Sequence, residues 1–522
     1  MEVKKEIDLL TKPMKKIEKQ LRYRLRKPEE YDEAIEKVFG EEHSCPPQLE
    51  EAGKKIARKC EGLPLAIIAI GKHLSKAEKT PEYWSKVAEK EILNIISADA
   101  EMSKALYLSY NRLPPSLQVC FVYMGVFPHD YEIPTSKLIN LWCAEGFVQP
   151  EIHRCLEDSA MKDLEYLASS SVVLVCQESS YRKIKTCKLH SVFRHLCIKE
   201  AGKDMVFHIL DSYANQGIES QRRLCILNNV LFGIKDVHKL MASRSNTRSL
   251  LCTGAHHPYP VPMGLDFRLL RVLDALTIRF YGFPTELVKL IQLRMLSYRT
   301  SQHFWVLALV VSPKRFSEES PNLKKLGTRI ELPLDVAEPL CCFDHLIYLD
   351  HLKSFKCSIV NPSPRLQVLG HSRQCFTLPS SLRKLTLSGL GFPWEYMRYI
   401  ANLPFLEVLK LRCYAFQGPE WKTFDGGFRS LTFLLIEDTD LEYWRVDRTY
   451  FRWLQRLFIP HCYKLKEIPL GIGETLRTVE IVDGSPSLVA SAKRILEEQQ
   501  SLGNDLQVCV KYSSEDDQKT KS

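Results

Sequence analysis

Three Gly-Lys pairs, Gly53-Lys54, Gly71-Lys72 and Gly202-Lys203, mark the positions at which this chain could begin to hold a phosphate. A phosphate-binding loop needs G-x-x-x-x-G-K-[ST]. Its glycines let successive backbone N–H groups converge on the phosphates, the lysine reaches the outer ones and the hydroxyl takes the magnesium ion. None of the three pairs has the upstream glycine or the following hydroxyl residue. A triphosphate and its Mg²⁺ therefore have no seat in this chain. Covalent and metal chemistry fare no better. No G-x-S-x-G, H-E-x-x-H or Cys-His arrangement with supporting context occurs, and the 17 cysteines are scattered without CxxC spacing or a Cys/His ligand pattern. These features describe a non-enzyme with reduced, mostly buried thiols. The adjacent Cys341 and Cys342 read as packing residues, and His190, alone after a β-rich run, reads on its own as a structural histidine.

A chain of 522 residues exceeds one ordinary core, so roughly two to four domains are expected. Hydrophobic residues at 45% and charged residues at 26% are globular values. The net charge of +9 permits an anionic partner, but no dense basic block marks a nucleic-acid groove. The most basic stretch, "KKIEKQLRYRLRK", reads as a solvated helix face. The charged opening "MEVKKEIDLLTKPMKK" is no secretory leader. No apolar run approaches the ~20 residues of a membrane span.

The elements that must position any site begin with helices over 28–97. "PEEYDEAIEKVFG" puts Tyr31, Ile35, Val38 and Phe39 on one face. Leu49, Ala52, Ile56, Ala57 and Cys60 recur at helical spacing, which predicts an amphipathic helix over 48–60. Gly62 stands where that helix ends and Pro64 where another begins. The run 65–70 is apolar on all sides and should be buried. "PEYWSKVAEKEILNII" supplies a further helix with Pro81 near its start. Over 102–147 short helices alternate with Pro-rich turns, and Thr135 is placed to cap the helix carrying Leu138, Leu141 and Trp142. A helix in "EDSAMKDLEYLASSS" then leads into two β-rich runs, "VVLVCQ" and "RKIKTCKLH". Three helices followed by a hairpin is the order of a winged helix. The segment "SKLINLWCAEGFV" carries one lysine and no arginine, which argues against DNA reading.

From about residue 265 the pattern changes to LxxLxL. Copies start at Leu382, Leu406, Leu431, Leu454 and Leu476, spaced 24, 25, 23 and 22 residues apart. These are leucine-rich-repeat periods. Earlier copies start at Leu270 and Leu293, and irregular ones at Leu323, Leu346 and Leu366. Each copy predicts a short strand whose leucines are buried only when neighbouring copies stack on it, all five regular strands running parallel. The intervening x positions then share one exposed surface. Arg383, Lys384, Thr386, Glu407, Lys410, Thr432, Gln455, Arg456, Arg477 and Glu480 give it mixed charge with a basic excess, which suits a protein partner better than a small molecule.

Taken together, these motifs resemble those of plant nucleotide-binding leucine-rich-repeat immune receptors of the coiled-coil class. "GLPLAI" at 62–67 is similar to their GLPL motif, and "CFVYMGVFPHDYEI" with "LINLWCAEGFV" to their winged-helix motif. "LHSVFRHLCIKEA" at 189–201 stands in the place of their Met-His-Asp motif, and the stretch from Cys462 to Val508 resembles the late-blight-resistance group of nightshade plants. The likeness runs from about residue 20 to 512. It implies a multidomain α+β fold, with the helical bundle and winged helix of an NB-ARC module followed by a leucine-rich-repeat solenoid. The corresponding divisions are a stub over 1–27, a helical subdomain over 28–97, a winged helix over 98–215, repeats over 216–482, and a C-terminal helix with a polar tail over 483–522.

The resemblance further implies ADP or ATP as cofactor, with Gly62, Leu63, Pro64 and Leu65 on the adenine side and His190 toward the phosphates. Two departures bear on that. The phosphate loop is missing, as if the chain were truncated at its N-terminus, and Ser191 stands where the family has the aspartate that holds the closed state. The expected function is that of a truncated intracellular immune receptor acting in defence, with impaired nucleotide binding and a cytoplasmic or membrane-peripheral location. Its expected partners are a pathogen effector or host guard protein on the repeats, with intramolecular or receptor–receptor contacts besides. The alternative is an interaction module or adaptor that uses the repeats with no nucleotide switch.

Overall fold

The computed structural model describes residues 47–512 apart from 60–63, 75–76, 79, 152–153, 171, 179–182, 211–221, 228–245, 255, 257–268, 281–289, 301–321, 332–342, 344–345, 348, 361–376, 423–425, 447–449 and 473–474. The chain divides into two compact units, residues 1–208 and 209–522. The expected helix carrying Tyr31 and Phe39, the repeat copy at Leu366 and the pair Cys341-Cys342 lie outside the described residues.

In the first unit, α1 (Pro47–Lys59) buries Leu49, Ala52 and Ile56 and exposes Glu51, Lys55 and Lys59, one residue earlier than the periodicity indicates. Helix α2 (Pro64–Leu74) opens on its proline, whose missing N–H costs nothing in a first turn. Its Ala66, Ala69, Ile70 and Leu74 are buried, as an all-round apolar run requires. Helix α3 (Pro81–Lys86) is capped by Thr80, whose Oγ1 accepts the Tyr83 N–H at 3.4 Å. A π-helical turn at Val87–Glu91 carries it into α4 (Ile92–Ala98). Helix α5 (Ala100–Asn111) is capped by Asp99, which accepts the Met102 N–H at 3.0 Å.

Next come α6 (Pro115–Tyr123), β1 (Ile133–Pro134), α7 (Thr135–Glu145), α8 (Leu156–Ser169), β2 (Leu174–Glu178), β3 (Ile184–Lys188) and α9 (Ser191–Lys203). The three strands form an antiparallel sheet in the order β1-β3-β2, so the expected hairpin gains a third strand from the segment before α7. Thr135 does not cap α7. The N-cap position is Pro134, which makes no side-chain cap bond, and Thr135 is the first helical residue, buried with its hydroxyl unpaired. Aromatic side chains fill the centre: Phe121, Tyr123, Phe127 and Trp142 are all buried, and Phe121 meets Phe193 of α9 edge-on at 5.8 Å.

The second unit is built on parallel strands. Strand β4 (His208–Leu210) falls at the division between the units. After it come β5 (Arg223–Ile226), β6 (Ser249–Cys252), β7 (Val272–Phe280), β8 (Met295–Thr300), β9 (Lys325–Glu331) and β10 (Ser354–Val360). They continue with β11 (Lys384–Ser388), β12 (Phe392–Pro393), a helical turn α10 (Met397–Ala401), β13 (Val408–Arg412), β14 (Phe416–Gln417) and β15 (Glu420–Lys422). The last are β16 (Phe433–Ile436), β17 (Tyr443–Arg445), β18 (Arg456–Pro460), β19 (Thr478–Val482), helix α11 (Pro486–Ser501) and β20 (Gln507–Lys511). Thirteen strands make one sheet in the order β20-β19-β18-β16-β13-β11-β10-β9-β8-β7-β6-β5-β4. Every pair in it whose register is described is parallel.

The five regular LxxLxL copies are therefore the five strands β11, β13, β16, β18 and β19. Their second leucine positions, Leu385, Leu409, Leu434, Leu457 and Val479, are in register and at most 1% exposed. Each such burial is worth roughly 1.5–3 kcal/mol and is complete only because the next repeat covers it. The copy at Leu346 is not a strand. Phe343, Leu346, Leu349 and Leu352 are buried at every third residue of a run of tight turns, each closed by an N–H to the carbonyl three residues back. The strand follows as β10, on the pattern Leu352, Phe355, Cys357, which keeps the spacing but replaces two leucines.

Seven residues after the first leucine of each regular copy, the chain leaves the strand through a left-handed residue: Gly389 (φ +72°), Cys413 (+45°), Asp438 (+49°), His461 (+56°) and Asp483 (+49°). The N–H of each donates to a carbonyl of the following repeat or, at Asp483, of β20, so the turn that ends one strand ties it to its neighbour. Beneath the sheet, the indoles of Trp394, Trp421 and Trp444 stack at 4.9 and 5.1 Å, a ladder with one rung per repeat.

Candidate functional site

Of the residues expected to face a nucleotide, Gly62 and Leu63 lie outside the described residues, and Pro64 and Leu65 are the first two residues of α2. His190 is the N-cap of α9. Its Nδ1 accepts the Val192 N–H at 3.3 Å, and the residue is 2% exposed. The imidazole thus satisfies one of the orphan donors of a helix start. Ser191, in the aspartate's place, begins α9 and is buried. The two motifs are brought to a common neighbour, since α2 and α9 both pack against α4. Nearby, Tyr107 donates to Glu200 at 2.6 Å and Lys203 pairs with the same carboxylate at 2.6 Å. Desolvation opposes ionisation of Glu200, but these two bonds hold it below the usual carboxylate range. Among the described residues, no three His, Cys, Asp or Glu side chains are grouped to hold a metal ion.

The exposed side of the parallel sheet is the second candidate. Because strand side chains alternate, its residues form rows that cross the strands. One row runs Lys356, Thr386, Lys410, Leu435, Phe458, Glu480, each the Cα partner of the next. A parallel row runs Ser354, Lys384, Val408, Phe433, Arg456. The two rows join a basic half, with Lys356, Lys384 and Lys410, to a more apolar half, in which Val408, Phe433 and Phe458 are partly exposed and Leu435 is buried. The cations of Lys410 and Arg456 lie 5.5 and 5.3 Å from the centre of the Phe433 ring.

Charge is balanced unevenly over this face. At its β9 edge, Glu331 takes Arg299 at 2.5 Å, Arg329 at 3.3 Å and Arg279 at 3.9 Å. Arg412 pairs with Glu437 at 3.1 Å and Arg383 with Glu407 at 2.7 Å. Among the described residues no carboxylate pairs with Lys356, Lys384 or Lys410. Desolvation, then Arg412 and Arg329, lowers Lys356 below the ordinary lysine value, and desolvation, then Arg412, Lys356, Lys384 and Arg456, lowers Lys410.

The x positions read from sequence do lie along these rows or, as with Arg383, Glu407, Thr432, Gln455 and Arg477, just before their strands. Two things escape that reading. Lys356 belongs to a strand that carries no LxxLxL signature. The aromatic positions Phe433 and Phe458 escape a search for polar x positions, although their place in the repeat marks them as outward-facing.

Residues 126–197 match the family described as Disease resistance protein Winged helix domain. The chain thus carries a winged helix of the disease-resistance type, followed by the repeat sheet. Over 89% of its length the chain is 29% identical to a putative late blight resistance protein homolog of Solanum demissum, and 29% identical to late blight resistance protein R1-A of the same plant. The chain is a homologue of the R1 group of late blight resistance proteins, and it spans 41% of the length of each of these two relatives. A solved leucine-rich-repeat protein of Leptospira interrogans, LIC12759, is 16% identical over 56% of this chain and 84% of that one, with a TM-score of 0.22. The repeat fold rests on the parallel register described above. No helix among the described residues is long and apolar enough to cross a membrane.

Proposed function

We propose that this chain takes part in plant immune recognition as a receptor-type protein, working by binding and conformational change rather than by turnover. The observation that carries the reading is the joining, in one chain, of a disease-resistance winged helix to a parallel repeat sheet with an exposed, charged face. In this reading residues 28–97 and 98–215 are the helical and winged-helix parts of a switch module. Residues 216–482 contact a pathogen effector or a host guard protein, and 483–522 close the array. A cytoplasmic location accords with the twelve cysteines that stand outside any disulfide among the described residues.

The family's ADP/ATP switch is a bistable element biased by a ligand. Here its adenine-side residues Gly62, Leu63, Pro64 and Leu65, and His190, are retained in sequence, but no residues of this chain form the phosphate loop. We infer that nucleotide is held weakly. That favours a second reading, an interaction or regulatory module that uses the repeats without a nucleotide switch.

The test is expression of the full chain in leaves together with single pathogen effectors, scored for local cell death or for its suppression. A response to particular effectors that is lost on Lys356→Glu with Lys410→Glu is the expected result. An unchanged response to every effector, or steady ATP hydrolysis by the purified chain, speaks against the proposal.

A further inference from the structure

The exposed row of the sheet is divided by chemistry, and the division indicates what fits it. We propose that this face binds an extended acidic peptide segment carrying an apolar anchor, its carboxylates over Lys356, Lys384 and Lys410 and its anchor over Phe433 and Phe458. The inference rests on reading the repeats as a recognition surface and names the chemistry of the partner.

Charge complementarity supports the acidic half. Three lysines stand on adjacent strands without carboxylate partners among the described residues, while Arg299, Arg329, Arg383 and Arg412 near them are already paired. Desolvation, and after it neighbouring cations, lowers both Lys356 and Lys410, so an incoming anion relieves the repulsive part as well as forming bonds. Hydroxyls lie between the lysines: Thr386 in the same row, and Ser354 and Ser388 beside it. Each is half-buried and able to donate to a carboxylate.

The apolar half decides between a peptide and a small polyanion. A compact polyanion is satisfied by the lysines and hydroxyls alone and has no use for Phe433 and Phe458. From β10 to β18 the sheet order β10-β11-β13-β16-β18 crosses four strand spacings of about 4.8 Å, about 19 Å in all, the reach of roughly six residues of extended peptide at about 3.3 Å each. Phe433 and Phe458 are partly exposed and stand on adjacent strands two residues out of register, so an anchor laid across β16 and β18 meets both rings. An acidic residue at one end of such a segment and an aromatic or aliphatic one about four residues away meet the two halves together.

The experiment pans a phage-displayed library of random decapeptides on the full chain at low salt and then measures selected peptides by fluorescence anisotropy. Enriched sequences are expected to carry clustered Asp and Glu followed by an aromatic or aliphatic residue. Their affinity should fall at least about tenfold on Lys356→Glu with Lys410→Glu, and about as much when the anchor is replaced by Ser in the peptide. Lys464→Glu with Lys493→Glu, the same charge change at two exposed lysines elsewhere, should leave binding unchanged, and circular dichroism checks that each variant folds. Inorganic tripolyphosphate competing as well as the peptides would overturn the proposal in favour of a small-polyanion site. No enriched pattern, or peptides indifferent to the double charge reversal, would overturn it as well. Those failures remove the peptide assignment while leaving the leaf-cell response to decide the broader function.

Discussion

Lys356 and Lys410 meet Thr386 from opposite sides: each is its Cα partner across the sheet, so the two ammonium groups stand two strands apart in one exposed row. Desolvation, followed by neighbouring cations, lowers both below the ordinary value of 10.5. A lysine whose folded pKa lies below its unfolded value opposes folding while charged. That opposition is present below the folded pKa and is relieved as pH rises toward the unfolded value. Replacing both with glutamine is therefore expected to leave the chain at least as stable near pH 8, with a gain of about 0–1 kcal/mol for each charge removed. The gain should shrink as pH approaches 10.5, and raising salt from about 0.05 to 0.5 M should stabilise the parent more than the variant. Thermal melts at two pH values and two salt concentrations check this. A parent more stable than the variant at low salt near pH 8 would contradict it.

Trp421 is fully buried between Trp394 and Trp444. Its truncation removes a rung that two neighbouring repeats share. Trp421→Ala is expected to cost about 3–5 kcal/mol and to broaden denaturant unfolding of the repeats, because stability there passes between nearest neighbours. Trp421→Phe should recover part of the loss. A cost under about 1 kcal/mol would mean that the ladder does not couple the repeats.

Gly389 and Gly426 separate backbone preference from crowding. Both are left-handed, at φ +72° and +67°. A Cβ on Gly389 would sit 2.1 Å from the Ile359 carbonyl oxygen, whereas one on Gly426 meets nothing within 4 Å. Gly426→Ala is expected to cost about 1 kcal/mol, the left-handed penalty alone. Gly389→Ala must also displace β10 and should cost at least about 1 kcal/mol more. Equal losses, measured by urea titration, would mean that the β10–β11 approach is looser than described.

The repeats are legible where leucine fills all the key positions, because stacking needs just that periodicity. They become illegible where chemistry is kept but residue type is not. Phe355 and Cys357 fill the leucine positions in β10, and buried Thr247 stands at the first position of the copy that forms β6. Leu346 misleads for the opposite reason, since every-third-residue burial in a run of turns also satisfies LxxL. In the first unit the turn chemistry of Pro64 and Pro81 is plain, whereas the cap expected of Thr135 depends on where the helix begins, a difference of one residue. The buried role of His190 as an N-cap agrees with what its place after a strand suggests; its bearing on nucleotide comes only from resemblance.

Recognition through the repeats rather than through a tightly held nucleotide is tested most directly by calorimetry of ADP against the purified 522-residue chain. Forfeiting three charge-assisted phosphate contacts, at roughly 1.5–3 kcal/mol each, lowers affinity by about three to six decades. The expected dissociation constant is millimolar or weaker, ATP hydrolysis should be undetectable, and Ser191→Asp should not restore binding. A micromolar dissociation constant that is lost on Pro64→Ala or His190→Ala, in variants that keep their helical circular dichroism, would contradict this and place a working nucleotide site in the chain.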